Sequence, residues 1–171
     1  LLLVHNTLVG TNLRDRIKIG ASGKIVTAFD VARTLAMGAD WCNAARGFMF
    51  ALGCIQAQKC HTDRCPTGVA TQDPSRQKAL VVPDKAERVH QYHAHTLHAL
   101  LELTQAAGLQ HPAEFRAHHI VRRVSGNEVQ LLATLLKYLE PGDLLAGRYR
   151  YQLYERYWPM AQAERFDPVA V

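Results

Sequence analysis

Three cysteines, Cys54, Cys60 and Cys65, fall close together in the spacing C-x5-C-x4-C, with Pro66 directly behind the last. The five residues between the first pair could extend ~20 Å, yet ligands of one metal centre converge within several ångströms, so this loop must fold back on itself. From Gln56 to Ser75 the hydrophobic periodicity fails, and Cys, Pro, Thr, Gly and Asp dominate. A loop of that length usually has a function. Thiolates bind iron-sulfur clusters, and a proline after the last ligand recurs in such runs. Three ligands without a fourth cysteine at similar spacing suit a cluster lacking one iron corner. Zinc, with His61 or Cys42 as fourth ligand, is the competing reading, although paired zinc ligands usually sit two to four residues apart. Three free buried thiols are the plain alternative. Cys42 lies on an expected strand, and we read it as core packing.

Two strand-turn-helix units precede this loop. Residues 17–20, Ile-Lys-Ile-Gly, suit a buried strand that passes into the small residues Ala21-Ser22-Gly23. Thr27 and Asp30 form a capping-box pattern, opening a helix through Val31 and Leu35 that Gly38 would end. Residues 40–45 make a second short strand, and Phe48 through Ile55 a buried helix. Tandem β-α units point to a parallel sheet or barrel. The turns between strand and helix, Ser22-Gly23-Lys24 and Ala44-Ala45-Arg46-Gly47, can aim backbone N–H groups at an anion, although a Ser-Gly turn is most often only a turn.

After the loop, Asp84 and Glu87 form another capping-box pattern. Val89, His93, Leu97, Leu100 and Leu101 set one apolar face of a long helix reaching Ala107 and stopped by Gly108. A shorter helical turn follows His111-Pro112, another lies near Val129–Tyr138, and an aromatic tail runs from Tyr149 to Trp158. The crowded His90, His93, His95 and His98 read as a polar helix flank, since no acid or cysteine sits at matching spacing. Arg122-Arg123 and Arg148-Tyr149-Arg150 read as solvated charge.

With 48% apolar and 20% charged residues the chain has a globular composition. Its net charge of +5 is modest, and no basic stripe interleaves with aromatics, so nucleic acid is not an expected partner. No apolar run approaches the ~20 residues that span a bilayer, so this segment is not expected to insert in a membrane. The opening leucines lack the charged flank and cleavage site of a signal peptide, which leaves the cytoplasm as the expected location. Because the first residue is Leu1, we expect a piece of a longer polypeptide.

Ala21-Ser22-Gly23-Lys24-Ile25, Gly38-Ala39-Asp40, Ala45-Arg46-Gly47, Leu52-Gly53-Cys54-Ile55-Gln56 and the block from Cys60-His61-Thr62 through Cys65-Pro66-Thr67-Gly68 to Gln72 together resemble the FMN-binding domain of glutamate synthases, in particular the shorter bacterial proteins of that family. The match runs to about Arg123. The resemblance implies an α/β fold: the C-terminal portion of an FMN-binding β/α (TIM-type) barrel with an iron-sulfur loop and a helical C-terminal extension. In these terms residues 1–72 hold the last two β/α units and the cluster loop, 73–124 a helical segment, and 125–171 a helical tail. It makes Cys54, Cys60 and Cys65 the ligands of a 3Fe-4S cluster. It places Ser22, Gly23 and Lys24 in the turn after the seventh strand and Ala45 and Arg46 in the turn after the eighth, where backbone amides hold the FMN phosphate. The family often has a second glycine where this chain has Lys24, whose side chain could instead reach the phosphate or flavin. Gly53, Ile55 and Val69 would shield the cluster. The implied reaction reduces the imine of 2-oxoglutarate and ammonia, or glutamine-derived ammonia, to L-glutamate by hydride transfer from FMN. Electrons would arrive through the cluster from ferredoxin or an NAD(P)H-linked subunit. Substrate-binding and catalytic residues are expected upstream of this chain, which should not turn over alone. A non-catalytic metal-binding or electron-transfer module, and an inactive relative, are the alternative readings.

Overall fold

The computed structural model describes residues 1–167. Two compact units divide them: Gly20–Leu35 with Trp41–Phe115, and Leu1–Ile19 with Ala36–Asp40 and the residues from Arg116 on.

The chain opens with α1 (Leu2–Gly10), a helix the sequence does not announce, because its apolar residues follow no stripe. Then come β1 (Gly20–Ser22), α2 (Ala28–Ala36), β2 (Trp41–Asn43) and α3 (Ala45–Leu52). β1 and β2 pair in parallel, with Gly20 opposite Trp41, Ala21 opposite Cys42 and Ser22 opposite Asn43. Each strand is followed by a helix, after residues 23–27 in the first case and Ala44 in the second, as the tandem β-α pattern requires.

The first strand begins later than the Ile17–Gly20 run implies. Ile19 gives its backbone N–H to the Asp40 carboxylate at 2.6 Å and accepts the Asp40 N–H at 2.8 Å. A side chain thus takes the place of the next rung of the ladder. α2 starts as expected: Asp30 accepts from the Val26 and Thr27 amides at 3.2 and 3.0 Å, and the Asp30 amide donates to the Thr27 hydroxyl at 3.2 Å. Its inner face buries Ala28, Ala32 and Leu35.

A short α4 (Pro74–Gln77) follows the cysteine loop, then α5 (Val82–Ala106). α5 starts ahead of the Asp84–Glu87 box, with Val81 as N-cap and Pro83 in the first turn, where a missing N–H costs nothing. Its covered stripe is Val89, Tyr92, Thr96, Leu100, Leu103 and Thr104. That stripe is rotated from the expected one, and Leu97 and Leu101 are exposed. The two threonines enter it because each satisfies its own hydroxyl one turn back, Thr96 on the Tyr92 carbonyl at 2.6 Å and Thr104 on the Leu100 carbonyl at 2.7 Å.

In the other unit, β3 (Val121–Arg123) and β4 (Val129–Leu131) form an antiparallel pair, followed by α6 (Leu132–Leu135) and α7 (Gln152–Tyr157). Residues 125–167 are thus less helical than the sequence implies: α6 is four residues and α7 six. Leu139, Leu144 and Tyr154 make a buried cluster. Arg148 and Arg150 are not simply solvated, since they pair with the fully buried Asp143 at 2.7 and 2.6 Å.

Candidate functional site

Each cysteine of the loop is delivered by its own local device. Cys54 follows Gly53, which ends α3 in the left-handed conformation, and the Cys54 amide still donates to the Met49 carbonyl at 2.9 Å. Cys60 opens a turn of 3-10 helix, Cys60–Thr62, and is exposed. Cys65 is buried. The loop exit is pinned by Asp63, whose carbonyl accepts the Thr71 hydroxyl at 2.6 Å and whose carboxylate accepts the Gln72 amide. At Gly68 a side chain has no room, because a Cβ would lie 2.4 Å from the Arg76 carbonyl oxygen.

The Cys65 sulfur sits among donors. The Thr67 hydroxyl, 3.5 Å away, lowers its pKa most, joined by the backbone amides of Ala70, Thr67 and Val69, and against a smaller effect of burial the thiol falls to about 7. Such a site favours the thiolate, the form that ligates metal. Cys42 has the opposite character: it is half-buried on β2, and burial pushes its pKa up.

Cys54, Cys60 and Cys65 all border one small cavity, with Ala57, Pro66 and Thr67. Among the described residues no three His, Cys, Asp or Glu side chains gather as ligands of one metal ion. One tetrahedral zinc at about 2.3 Å from each sulfur would draw the thiolates to within about 4 Å of one another. A cluster needs wider spacing, because each thiolate takes a different iron. Three cysteines reach the border of one small cavity from separate backbone positions, and thiolates are the donors an iron-sulfur cluster takes. Of the expected shielding residues, Gly53 and Val69 are half-buried, but Ile55 is 66% exposed.

The two turns converge as well. Ser22, Gly23, Lys24, Ala45 and Arg46 line a single cavity of about 380 Å³, whose wall also includes Cys54 and Cys60. Gly23 and Lys24 both have positive φ, 126° and 55°. Lys24 therefore carries in an L-residue a conformation that favours glycine, which answers how this turn forms without the second glycine. Ile25, Asn43, Met49, Phe50 and Gln56 complete the lining. Sequence reasoning gave Asn43, Met49 and Phe50 no role at the site, because they carry no motif and reach the cavity only through the β2–α3 fold, whereas Gln56 stood in a family block without an assigned role. The exposed amide ends of two strand-to-helix turns around one cleft suit a phosphate.

A model of the conserved region in glutamate synthase matches residues 1–110. The chain belongs to the glutamate synthase family. It is 47% identical over 121 residues to the glutamate synthase large subunit-like protein YerD of Bacillus subtilis, covering 71% of this chain and 23% of that protein. It is 38% identical over 99 residues to the ferredoxin-dependent glutamate synthase 2 of Synechocystis, covering 57% of this chain and 6% of that enzyme. To the NADH glutamate synthase of Schizosaccharomyces pombe it is 46% identical over 74 residues, 43% of this chain and 4% of the other. The chain thus spans under a quarter of the length of these relatives. Among the described residues no helix is long and apolar enough to cross a membrane.

Proposed function

We propose that this chain supplies the cluster loop and the phosphate end of the flavin site in a glutamate-synthase-type oxidoreductase, within a β/α barrel completed by further strands. One observation carries the reading: the two turns and two of the three cysteines line the same cavity, so a flavin phosphate site and a thiolate site lie side by side. A redox centre next to a flavin is what an electron path between them requires.

In this reading Cys54, Cys60 and Cys65 hold a 3Fe-4S cluster, and the turns at Ser22-Gly23-Lys24 and Ala45-Arg46 hold the FMN phosphate. When bound, these groups supply one-electron relay and hydride transfer, which reduces the imine of 2-oxoglutarate and ammonia to L-glutamate. The residues of this chain bind and orient. The Thr67 hydroxyl and the amides of residues 67, 69 and 70 stabilise negative charge on the Cys65 sulfur, and such hydrogen bonds raise a cluster's potential. Arg46, exposed at the start of α3, adds positive charge beside the turn amides. Substrate recognition belongs to other parts of the polypeptide, and ferredoxin or an NAD(P)H-linked subunit is the proposed electron source, with the cytoplasm as the compartment.

Iron, acid-labile sulfide and flavin analysis of the full polypeptide tests this, together with the Cys60→Ser variant. We expect iron and FMN in the wild type, and loss of the cluster's visible absorbance with retention of FMN in the variant. Protein holding neither iron nor flavin would sink the proposal, and zinc without flavin affinity would turn it toward a metal-binding module.

A further inference from the structure

The two turns that line the cleft are separate in sequence, and one side chain on a third element joins them. Tyr92, on the covered stripe of α5, donates its hydroxyl to the Val26 carbonyl at 2.7 Å. Val26 lies two residues beyond Lys24, and its own N–H goes to Asp30 at 3.2 Å. Side chains therefore hold both backbone polar groups of Val26, and the preceding Ile25 is buried. The same Tyr92 hydroxyl rests against the first turn of α3. A Cβ built on Gly47 would lie 1.9 Å from the Tyr92 oxygen and 2.6 Å from its Cζ, so the phenol tip occupies the space a side chain at 47 would need. The neighbouring Phe48 meets the Tyr92 ring edge-on, with centroids 5.1 Å apart and an interplanar angle of 86°.

We infer that Tyr92 is a positioning residue for the phosphate end of the flavin site: one hydroxyl sets the turn after β1 against the start of α3, so that both sets of amides face one anion. This rests on the flavin reading above. Amide cradles bind through geometry, and loosening one wall costs affinity even when no contacting atom is removed. Gly47 is then glycine because the Tyr92 hydroxyl must fit there, and Tyr92 is tyrosine because phenylalanine would leave the Val26 carbonyl without its donor.

The test is made on the full polypeptide with its cofactors. FMN affinity is read by quenching of flavin fluorescence, the phosphate environment by its ³¹P resonance, and the cluster by iron content. Tyr92→Phe should weaken FMN binding about three- to tenfold, the span of one net hydrogen bond. It should also shift the ³¹P resonance and leave iron content unchanged. Leu103→Ala, on the same stripe three turns further on, should lower the melting temperature without moving FMN affinity or the ³¹P resonance. Gly47→Ala approaches the same contact from α3 and should weaken FMN binding more than Tyr92→Phe, with a less than additive loss in the double variant. Wild-type FMN binding with unchanged affinity in Tyr92→Phe would overturn the inference alone. So would losses that track melting temperature equally in Tyr92→Phe and Leu103→Ala, or strictly additive losses in the double variant. A wild type that binds no FMN overturns the flavin reading itself.

Discussion

Asp40 gathers two donors and a second cation on one carboxylate: the Ile19 amide at 2.6 Å and Arg14 at 2.8 Å are hydrogen-bonded, and Lys18 stands at 3.6 Å as an ion pair. Burial works to raise its pKa, but the Ile19 amide, then Arg14 and Lys18, outweigh it, and the group ends below its ordinary value of 3.8. A carboxyl with a depressed folded pKa stabilises the fold above its unfolded value, and that contribution fades as pH falls through the folded one. We therefore expect the stability of the wild type to fall below pH 3.8 more steeply than that of Asp40→Asn, which should lose stability at neutral pH instead. Acid titration of the melting temperature of both checks this. Gly38-Ala39-Asp40 was visible in the sequence as a family motif, whereas its partner Arg14 was not: no local pattern marks a pair separated by a strand and a helix. Tyr92 was hidden for the same reason, sitting in a histidine-rich stretch whose surface character was legible while the role of its one half-buried phenol was not.

At the scale of elements, the strand-turn-helix order and the cysteine loop were readable because local chemistry dictates them: a capping aspartate, a left-handed glycine, a proline behind the last thiol. What sequence periodicity misjudged was the covered face of α5. The pattern counts leucines, but a threonine that bonds the carbonyl one turn back is equally buriable, so Thr96 and Thr104 displaced Leu97 and Leu101. The cysteine loop depends on one backbone approach in particular. Gly68 has φ 76° and sits against the Arg76 carbonyl, so Gly68→Ala combines left-handed strain with a backbone clash. We expect a loss of about 1–3 kcal/mol, because such strain is stored only where surroundings enforce it. Chemical denaturation should show that loss and, on the cluster reading proposed above, iron analysis should show reduced loading, since the same turn presents Cys65.

The largest gap between sequence and structure concerns residues 125–167, which carry no family motif. They are an integral part of one compact unit and close on the first helix of the chain. Asn6, 4% exposed, donates to the Lys137 carbonyl at 2.7 Å and accepts the Leu139 amide at 3.3 Å. The Tyr154 hydroxyl donates to the Leu3 carbonyl at 3.0 Å and lies 3.1 Å from the Thr7 hydroxyl. Gly10 admits the Leu144 side chain where its own Cβ would fall 2.6 Å away. Contacts spanning more than 130 residues leave no trace in local periodicity, so nothing in the sequence ties the unpatterned α1 to the aromatic tail. If these bonds hold α1, removing residues 137–171 should free its amides while α5, whose covered stripe lies in the other unit, keeps its protection. Hydrogen exchange of the full polypeptide and the truncated form makes the comparison: residues 5–10 should exchange faster after truncation, and residues 92–104 at the same rate. Asn6→Ala should reproduce part of the effect without deleting anything, at a cost of about 1–3 kcal/mol for the buried polar groups it leaves unpaired. Equal acceleration in both regions would mean that the C-terminal segment supports the whole chain and not only the unit it closes.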